Sequence, residues 1–356
     1  MLIENSYCED NITVCENALA ILAKTYQGEI MNKRIIGVGV AAIAVAALAL
    51  GATGCAAEKK LSIAFVMGAE SDPFFQAMKV GATEEAAAQG VDLIWQGDPS
   101  EYNVATQVPI VDNVLAQSPS GLVLIPTDPN GLQASADKAV DAGVALALVD
   151  TTVSDASRAV ITITGDNADG GAKAADAIAA AIGYTDGETY EVVVGLTSAT
   201  ATTNVGRLEG FKAQIASTYP GIVIKDVAYS ASNPQTANSN VNNWLTKYPN
   251  LKGIFAIDGT NASGAAAALQ AKDLVGKIAL VGYDAYPANV DLLKQGVFTA
   301  LIAQDPAAEA RLAIKTLVEY IKNGTAAAEH DVVIPNVTLD GNTSDDDFAK
   351  YTYVAN

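Results

Sequence analysis

The chain has 356 residues, half of them apolar, with 21 Lys and Arg against 40 Asp and Glu, and a net charge of −19. That length allows two domains of ordinary size with substantial cores, and the apolar half excludes a disordered chain. The negative charge opposes nucleic-acid binding, and the absence of cysteine after Cys55 excludes disulfides and thiolate metal sites from the remaining 301 residues.

Residues 1–30 are acidic and precede a second methionine, Met31, so they read as a misassigned N-terminal extension. From Met31 the order is "MNKR", an apolar run from Ile35 to Leu50, then small residues to Gly54. Basic start, apolar stretch and small side chains make a secretory signal over 31–54. The apolar part is shorter than the roughly 20 residues of a spanning helix. "ATGC" (Ala52 to Cys55) resembles a bacterial lipobox, with Ala52 in place of the commoner leucine or valine. That resemblance implies lipidation of Cys55, cleavage before it, a short tether over 55–60 and a lipid anchor on the outer side of a bacterial cell membrane. An ordinary cleaved signal is the alternative.

Beyond the tether, short apolar runs alternate with segments of helical period. Strands are expected at 61–67, 91–95, 121–125, 144–149 and 159–163, separated by helices at 73–90, 104–117 and 132–142. The alternation restarts with helix 168–182 and strand 190–196, helix 204–217 and strand 222–228, helix 234–246 and strand 253–257. Helix 261–271, strand 278–283, a helix near 287–295, strand 298–303 and a long helix over 306–322 complete it. Continuous apolar strands between amphipathic helices indicate parallel sheets covered on both faces. The break near "TITGDNADGG" (162–171) divides them into two doubly wound, Rossmann-like α/β domains.

Ligands of such sheets bind beyond the carboxyl ends of the strands. The polar groups there are "AESDPFF" (69–75), "PTDPN" (126–130), "DTT" (150–152), "GDN" (165–167), "TSATATTN" (197–204), "DGTN" (258–261), "YDAY" (283–286) and "QDP" (304–306). They offer carboxylates, amides, hydroxyls and aromatic rings, and neither lysine nor arginine, which suits a neutral polyol. A carboxylate accepts strong hydrogen bonds from hydroxyls, an amide gives and accepts, and an aromatic face covers the C–H patches of a sugar ring.

"SDPFF" (71–75), "IPTDP" (125–129), "RLEGF" (207–211), "VGYDAYP" (281–287) and "ALIAQDP" (300–306), in this order on these elements, resemble the ribose/galactose type of periplasmic sugar-binding proteins, the solute receptors of ABC importers. The resemblance covers roughly residues 60–340. It implies the periplasmic binding protein type I fold, with two lobes joined by a three-strand hinge and closing on a sugar. The lobes would be 61–164 plus 305–333 and 165–304 plus 334–340, with 341–356 a solvated tail, and the crossings near Thr164–Gly165, Gln304–Asp305 and Pro335–Asn336. Implied ligand contacts are Asp72, Phe74, Phe75, Asp150, Asp258, Asp284 and Gln304, with Asn204 and Asn261 placed by position and Thr151 and Tyr283 beside them. A core role is the alternative for Phe74 and Phe75. The implied partners are a sugar or polyol, an ABC permease and its ATPase, with no cofactor, metal or nucleic acid, for a monomeric, exported receptor.

Departures from ribose binders are Gly68 and Ile125, where those carry Ser and Asn, and Thr151 and Val205, where they carry arginines. Four aspartates without a guanidinium would favour amine-bearing ligands over their neutral parents. Arg207 is read as a structural ion pair, Trp95 as a candidate cleft residue and Trp244 as core. The acidic 338–356 segment lacks the calcium-loop pattern.

The chain does not read as an enzyme. His330 is its only histidine, and no Cys or His accompanies a serine as nucleophile and base. Glycoside hydrolysis by paired carboxylates such as Asp150 and Asp284 is possible in principle, but this fold argues against it. A sugar-responsive repressor would need a basic helix-turn-helix where the signal stands. A receptor that presents bound sugar to a chemotaxis or signalling partner remains the alternative to transport.

Overall fold

The computed structural model describes residues 60–354, so the extension, the signal and Cys55 lie outside the described residues. The first lobe is a six-stranded sheet in the order β2–β1–β3–β4–β5–β11, all parallel. Its strands are β1 (Ser62–Ala69), β2 (Asp92–Asp98), β3 (Gly121–Leu124), β4 (Ala145–Val149), β5 (Ile161–Gly165) and β11 (Asp331–Ile334). Ile63 to Met67 of β1 are wholly buried, as a central parallel strand covered on both faces requires. The second lobe repeats the plan in the order β7–β6–β8–β9–β10–β12, with only β12 antiparallel. These are β6 (Tyr190–Leu196), β7 (Ile222–Tyr229), β8 (Leu251–Ala256), β9 (Ala279–Tyr283), β10 (Ala300–Ala303) and β12 (Val337–Asp340).

Helices α1 (Pro73–Gln89), α2 (Val104–Leu115) and α3 (Gln133–Asp141) connect the first strands. α4 (Asn167–Ile182), α5 (Thr202–Thr218), α6 (Pro234–Lys247), α7 (Gly259–Ala271) and α8 (Pro287–Lys294) serve the second lobe. α9 (Pro306–Asn323) returns to pack on α1, and α10 (Asp345–Tyr351) follows β12.

Two helix starts shape the site. Asp72 caps α1, accepting from the Phe74 N–H at 2.9 Å with Pro73 next in line, and Gly90 ends that helix in the left-handed conformation at φ 67°. Asp258 caps α7, accepting from the Asn261 N–H at 2.9 Å. Such a cap stabilises by about 1 kcal/mol, and it fixes each carboxylate at the carboxyl end of its sheet.

The chain passes between the sheets three times: from β5 to α4, from β10 to α9, and from β11 to β12. The passages touch one another. Asp166 N–H donates to Ile334 O at 3.0 Å, and Asn336 donates through Nδ2 to Asp166 O and to the Tyr283 hydroxyl, both at 2.7 Å. A Cβ on Gly165 would lie 2.8 Å from Gln304 Oε1 and 3.2 Å from Asn336 Oδ1, so glycine there lets the three passages meet.

The C-terminal segment is not a solvated tail. Ser344 caps α10, accepting from the Asp347 N–H at 3.1 Å, and Asp345, Asp346 and Asp347 occupy the first turn. That is where the helix dipole favours negative charge, which accounts for the acidic run. Phe348 and Tyr353 are buried. Trp244 is core, as its helical spacing suggests. Trp95 stacks on Phe65 at 4.8 Å between ring centroids within the first lobe and does not line the cleft.

Candidate functional site

The lobes meet over a small cavity, about 50 Å³, between their strand ends. Among the described residues, three hydrogen bonds join the two lobes at or beside it. Tyr286 of the second lobe donates its hydroxyl to Asp72 of the first. Thr200 Oγ1 donates to Asp128 Oδ2 at 2.7 Å, and the Thr152 N–H donates to Thr202 Oγ1 at 3.1 Å. The lobes are therefore closed on each other.

Four carboxylates line the cavity: Asp72 and Asp150 from the first lobe, Asp258 and Asp284 from the second. Burial raises Asp72 to about 7, against the opposing hydrogen bonds from Tyr286 and the Phe74 N–H. Burial also raises Asp150 to about 7; the Arg207 charge pulls it back while Asp284 and Asp72 push it up. Asp258 is raised by burial as well, partly offset by donors from Asn261 and Thr197, whose hydroxyl donates to Asp258 Oδ2 at 2.9 Å. Asp284 is held by three donors: Gln304 Nε2 at 2.7 Å and the Tyr353 hydroxyl at 3.0 Å on Oδ1, and the Gly259 N–H at 3.0 Å on Oδ2.

Arg207 corrects the expectation of a cleft without a guanidinium. It lines the cavity at 3% exposure, and its guanidinium lies 3.7 Å from the centre of the Tyr283 ring. Its Nε donates to Asn167 Oδ1 at 2.8 Å and its Nη1 to Ile257 O at 3.0 Å, so stacking and neutral acceptors hold it rather than an ion pair. Burial alone would lower its pKa, but the fields of Tyr283, Asp284, Asp150 and Asp258 outweigh burial and keep it charged. Val205, by contrast, is 42% exposed and outside the cavity.

Phe74 and Phe75 both line the cavity, edge to face at 5.4 Å. Gln304 and Asn204 line it too; Asn204 Oδ1 is occupied by the Thr197 and Ser198 N–H groups at 2.9 and 3.1 Å. Three expected residues stand one layer behind. Thr151 turns its hydroxyl to Pro126 O at 2.8 Å. Asn261 braces Asp258 through Nδ2 at 2.7 Å, and Tyr283 lies under Arg207 with its hydroxyl on Asn336.

The lining also holds Thr197, Thr203 and Tyr286, which lie in the strand-end stretches singled out from the sequence but were not named as contacts, and Tyr102 and Ser232, which sequence reasoning missed altogether. Tyr102 explains one departure from ribose binders. A Cβ on Gly68 would fall 2.6 Å from its ring, so the small residue makes room for the aromatic one. Glu309 was missed as well. It is 0% exposed, neither carboxyl oxygen has a partner among the described residues, and burial, reinforced by Asp150, raises its pKa well above the usual range. Among the described residues no group of three or more His, Cys, Asp or Glu is arranged to hold a metal ion. His330 sits away from the cavity, with Nε2 3.1 Å from Ala159 O.

The whole arrangement offers acceptors, amide and guanidinium donors and aromatic faces to a small, uncharged, hydroxyl-rich molecule.

The sequence matches the periplasmic binding protein domain family over residues 63–326. It is 26% identical over 312 residues to the D-ribose/D-allose-binding protein of Pseudomonas aeruginosa, covering 86% of this chain and 96% of that one. The fold is shared with an ABC transporter solute-binding protein from Agrobacterium vitis bound with alpha-D-tagatopyranose, at TM-score 0.77 and 29% identity over 83% of this chain and all of the other. A carbohydrate transporter solute-binding protein from Agrobacterium radiobacter in complex with D-arabinose gives TM-score 0.78 at 26% identity, with 83% and 100% covered. By this match and by its two parallel-sheet lobes, the chain belongs to the periplasmic binding protein family, with the type I fold of its sugar-binding members.

Proposed function

We propose that this protein is an extracytoplasmic receptor that captures a monosaccharide or related polyol between its lobes and delivers it to an ABC permease and its ATPase. The observation that carries the reading is the closed cavity lined from both lobes by four aspartates, Arg207 and the Phe74–Phe75 pair. Relatives that bind ribose or allose, tagatose and arabinose support it. The site residues would be Asp72, Phe74, Phe75, Asp150, Asn204, Asp258, Asp284 and Gln304, joined by Tyr102 and Arg207. Lobes joined by three short passages open and close as hinged bodies.

Arg207 removes the ground for expecting amine-bearing ligands to be preferred, and a neutral sugar is the reading we favour. A thermal-shift screen over D-ribose, D-allose, D-arabinose, D-tagatose, D-fucose, inositols and amino sugars tests this. A ligand at a hundred times its Kd stabilises by about 2.7 kcal/mol, which raises the unfolding temperature by several degrees. No shift with any of them would sink the proposal.

The sequence over 31–55 supports a second element, a lipid anchor at Cys55. Two or three acyl chains, at about 0.8 kcal/mol per buried CH₂, hold a soluble receptor firmly on a bilayer. Mass spectrometry of the exported protein should find a lipidated N-terminal cysteine, absent in Cys55→Ala. An unmodified Cys55 on a released protein would refute the anchor.

A further inference from the structure

The segment after β12 lies beyond residue 326, where the family match ends, yet it packs directly behind residues that line the cavity. Phe348 is buried under the Lys294 ammonium, 4.5 Å from its ring centre, which fastens α10 to the second lobe. The Tyr353 N–H then donates to Ala285 O at 2.9 Å. The Tyr353 hydroxyl donates to Asp284 Oδ1 at 3.0 Å and accepts from the Gln304 N–H at 3.3 Å. Its ring lies 6.0 Å from Phe74 of the first lobe and 6.0 Å from Tyr286 of the second. One side chain, 4% exposed, thus touches a cavity carboxylate, a lobe-to-lobe passage and the aromatic wall of the opposite lobe.

We infer that the C-terminal segment 344–354 is a working part of the sugar site, with Tyr353 as its positioning residue: the hydroxyl aims Asp284 and the ring meets Phe74 across the closed lobes. The inference rests on the sugar-binding reading. An ionised carboxylate has about four acceptor positions. Gln304, Tyr353 and Gly259 fill three at Asp284, leaving roughly one, of fixed direction, for a ligand hydroxyl. Burial and the Asp284 charge raise the Tyr353 pKa well above its ordinary value, so the phenol stays a donor. The Phe74 contact joins different lobes and is lost when they part. An interaction made only in the closed form tightens ligand binding by its full strength.

The test compares the full-length wild type with Tyr353→Phe and Tyr353→Ala by calorimetry, using whichever sugar of the panel above binds tightest. Tyr353→Phe should bind roughly ten-fold more weakly, the scale of one hydrogen bond to a charged group, and Tyr353→Ala more weakly still. The sugar-induced rise in unfolding temperature should shrink in the same order, whatever the ligand-free value. In the wild type, the amides of 345–354 should exchange hydrogen more slowly when sugar is bound. Equal affinity of the three proteins overturns the inference, as does exchange in this segment that ignores the sugar. If the wild type binds no sugar of the panel, the proposed function falls and this inference with it. If it binds and the variants match it, only this inference falls.

Discussion

Asp150 and Asp284 hold the same station in the two lobes. Each follows the fourth strand of its sheet, β4 or β9, with left-handed backbone at φ 61° and 67°. Each donates its N–H at 2.8 Å to the neighbouring strand, at Ile163 O and Ile302 O. Left-handed backbone disfavours most residues, and Asp and Asn tolerate it best, so the conformation turns a carboxylate into the cleft from either side. Asn keeps the backbone and removes the charge. Asp150→Asn and Asp284→Asn should therefore each fold normally and bind sugar about 10- to 100-fold more weakly, read by calorimetry. Unchanged affinity in Asp150→Asn would remove that carboxylate from the site.

Arg207 balances part of the negative charge in the cavity. Arg207→Met keeps an apolar stem over Tyr283 and leaves Asp150, Asp258 and Asp284 without their guanidinium. Affinity for the neutral sugar should fall more than about ten-fold. Affinity for an amine-bearing counterpart, such as D-galactosamine against D-galactose, should fall less, and the difference should narrow at high salt. A preference for the amine already present in the wild type at both salts would contradict the role given to Arg207.

Closure should take up protons. In the closed cleft Asp72 titrates near 7, chiefly through burial, whereas a solvated aspartate titrates near about 3.9. Between those values the closed form binds more protons than the open one, so closure is favoured at the acid end and the benefit is lost as pH rises through about 7. Sugar affinity should decline from pH 6 to pH 8. Calorimetry in two buffers of different ionisation heat should register proton uptake, reduced in Asp72→Asn. Affinity that climbs over this interval would refute the linkage.

Gly165 sets how closely the passages between the lobes can meet. Gln304 cannot retreat from a new Cβ without leaving Asp284, to which its Nε2 donates at 2.7 Å. Overpacking of this kind costs about 1–3 kcal/mol, and here the closed state bears it. Gly165→Ala should bind sugar more weakly and contract less in small-angle scattering at saturation than the wild type. Wild-type contraction and affinity together would show that the hinge does not need this glycine.

Much of the architecture is legible in the sequence because parallel strands buried on both faces read as unbroken apolar runs, and because Gly90 or Pro73 punctuates helices physically. The strand ends also reveal which polar residues crowd the cleft. They do not reveal direction: Tyr283 and Asp284 are adjacent, yet one lies behind Arg207 and the other lines the cavity. Tyr102 was hidden because its place depends on space left by Gly68, 34 residues earlier. Arg207 reads as a structural ion-pair residue until α5 is packed against Tyr283. The last segment is misleading for a different reason. Its aspartates look solvated, while Phe348 and Tyr353 acquire a role only from Lys294, Phe74 and Asp284, which lie far off in the chain.

A crystal structure grown with the tightest-binding sugar of the panel tests the central claim most directly. The account predicts one monosaccharide between the lobes, its hydroxyls within about 2.5–3.0 Å of Asp150 and Asp284, with a ring face against Phe74 or Phe75. Sugar bound elsewhere on the protein, with this cavity holding only water, would contradict it.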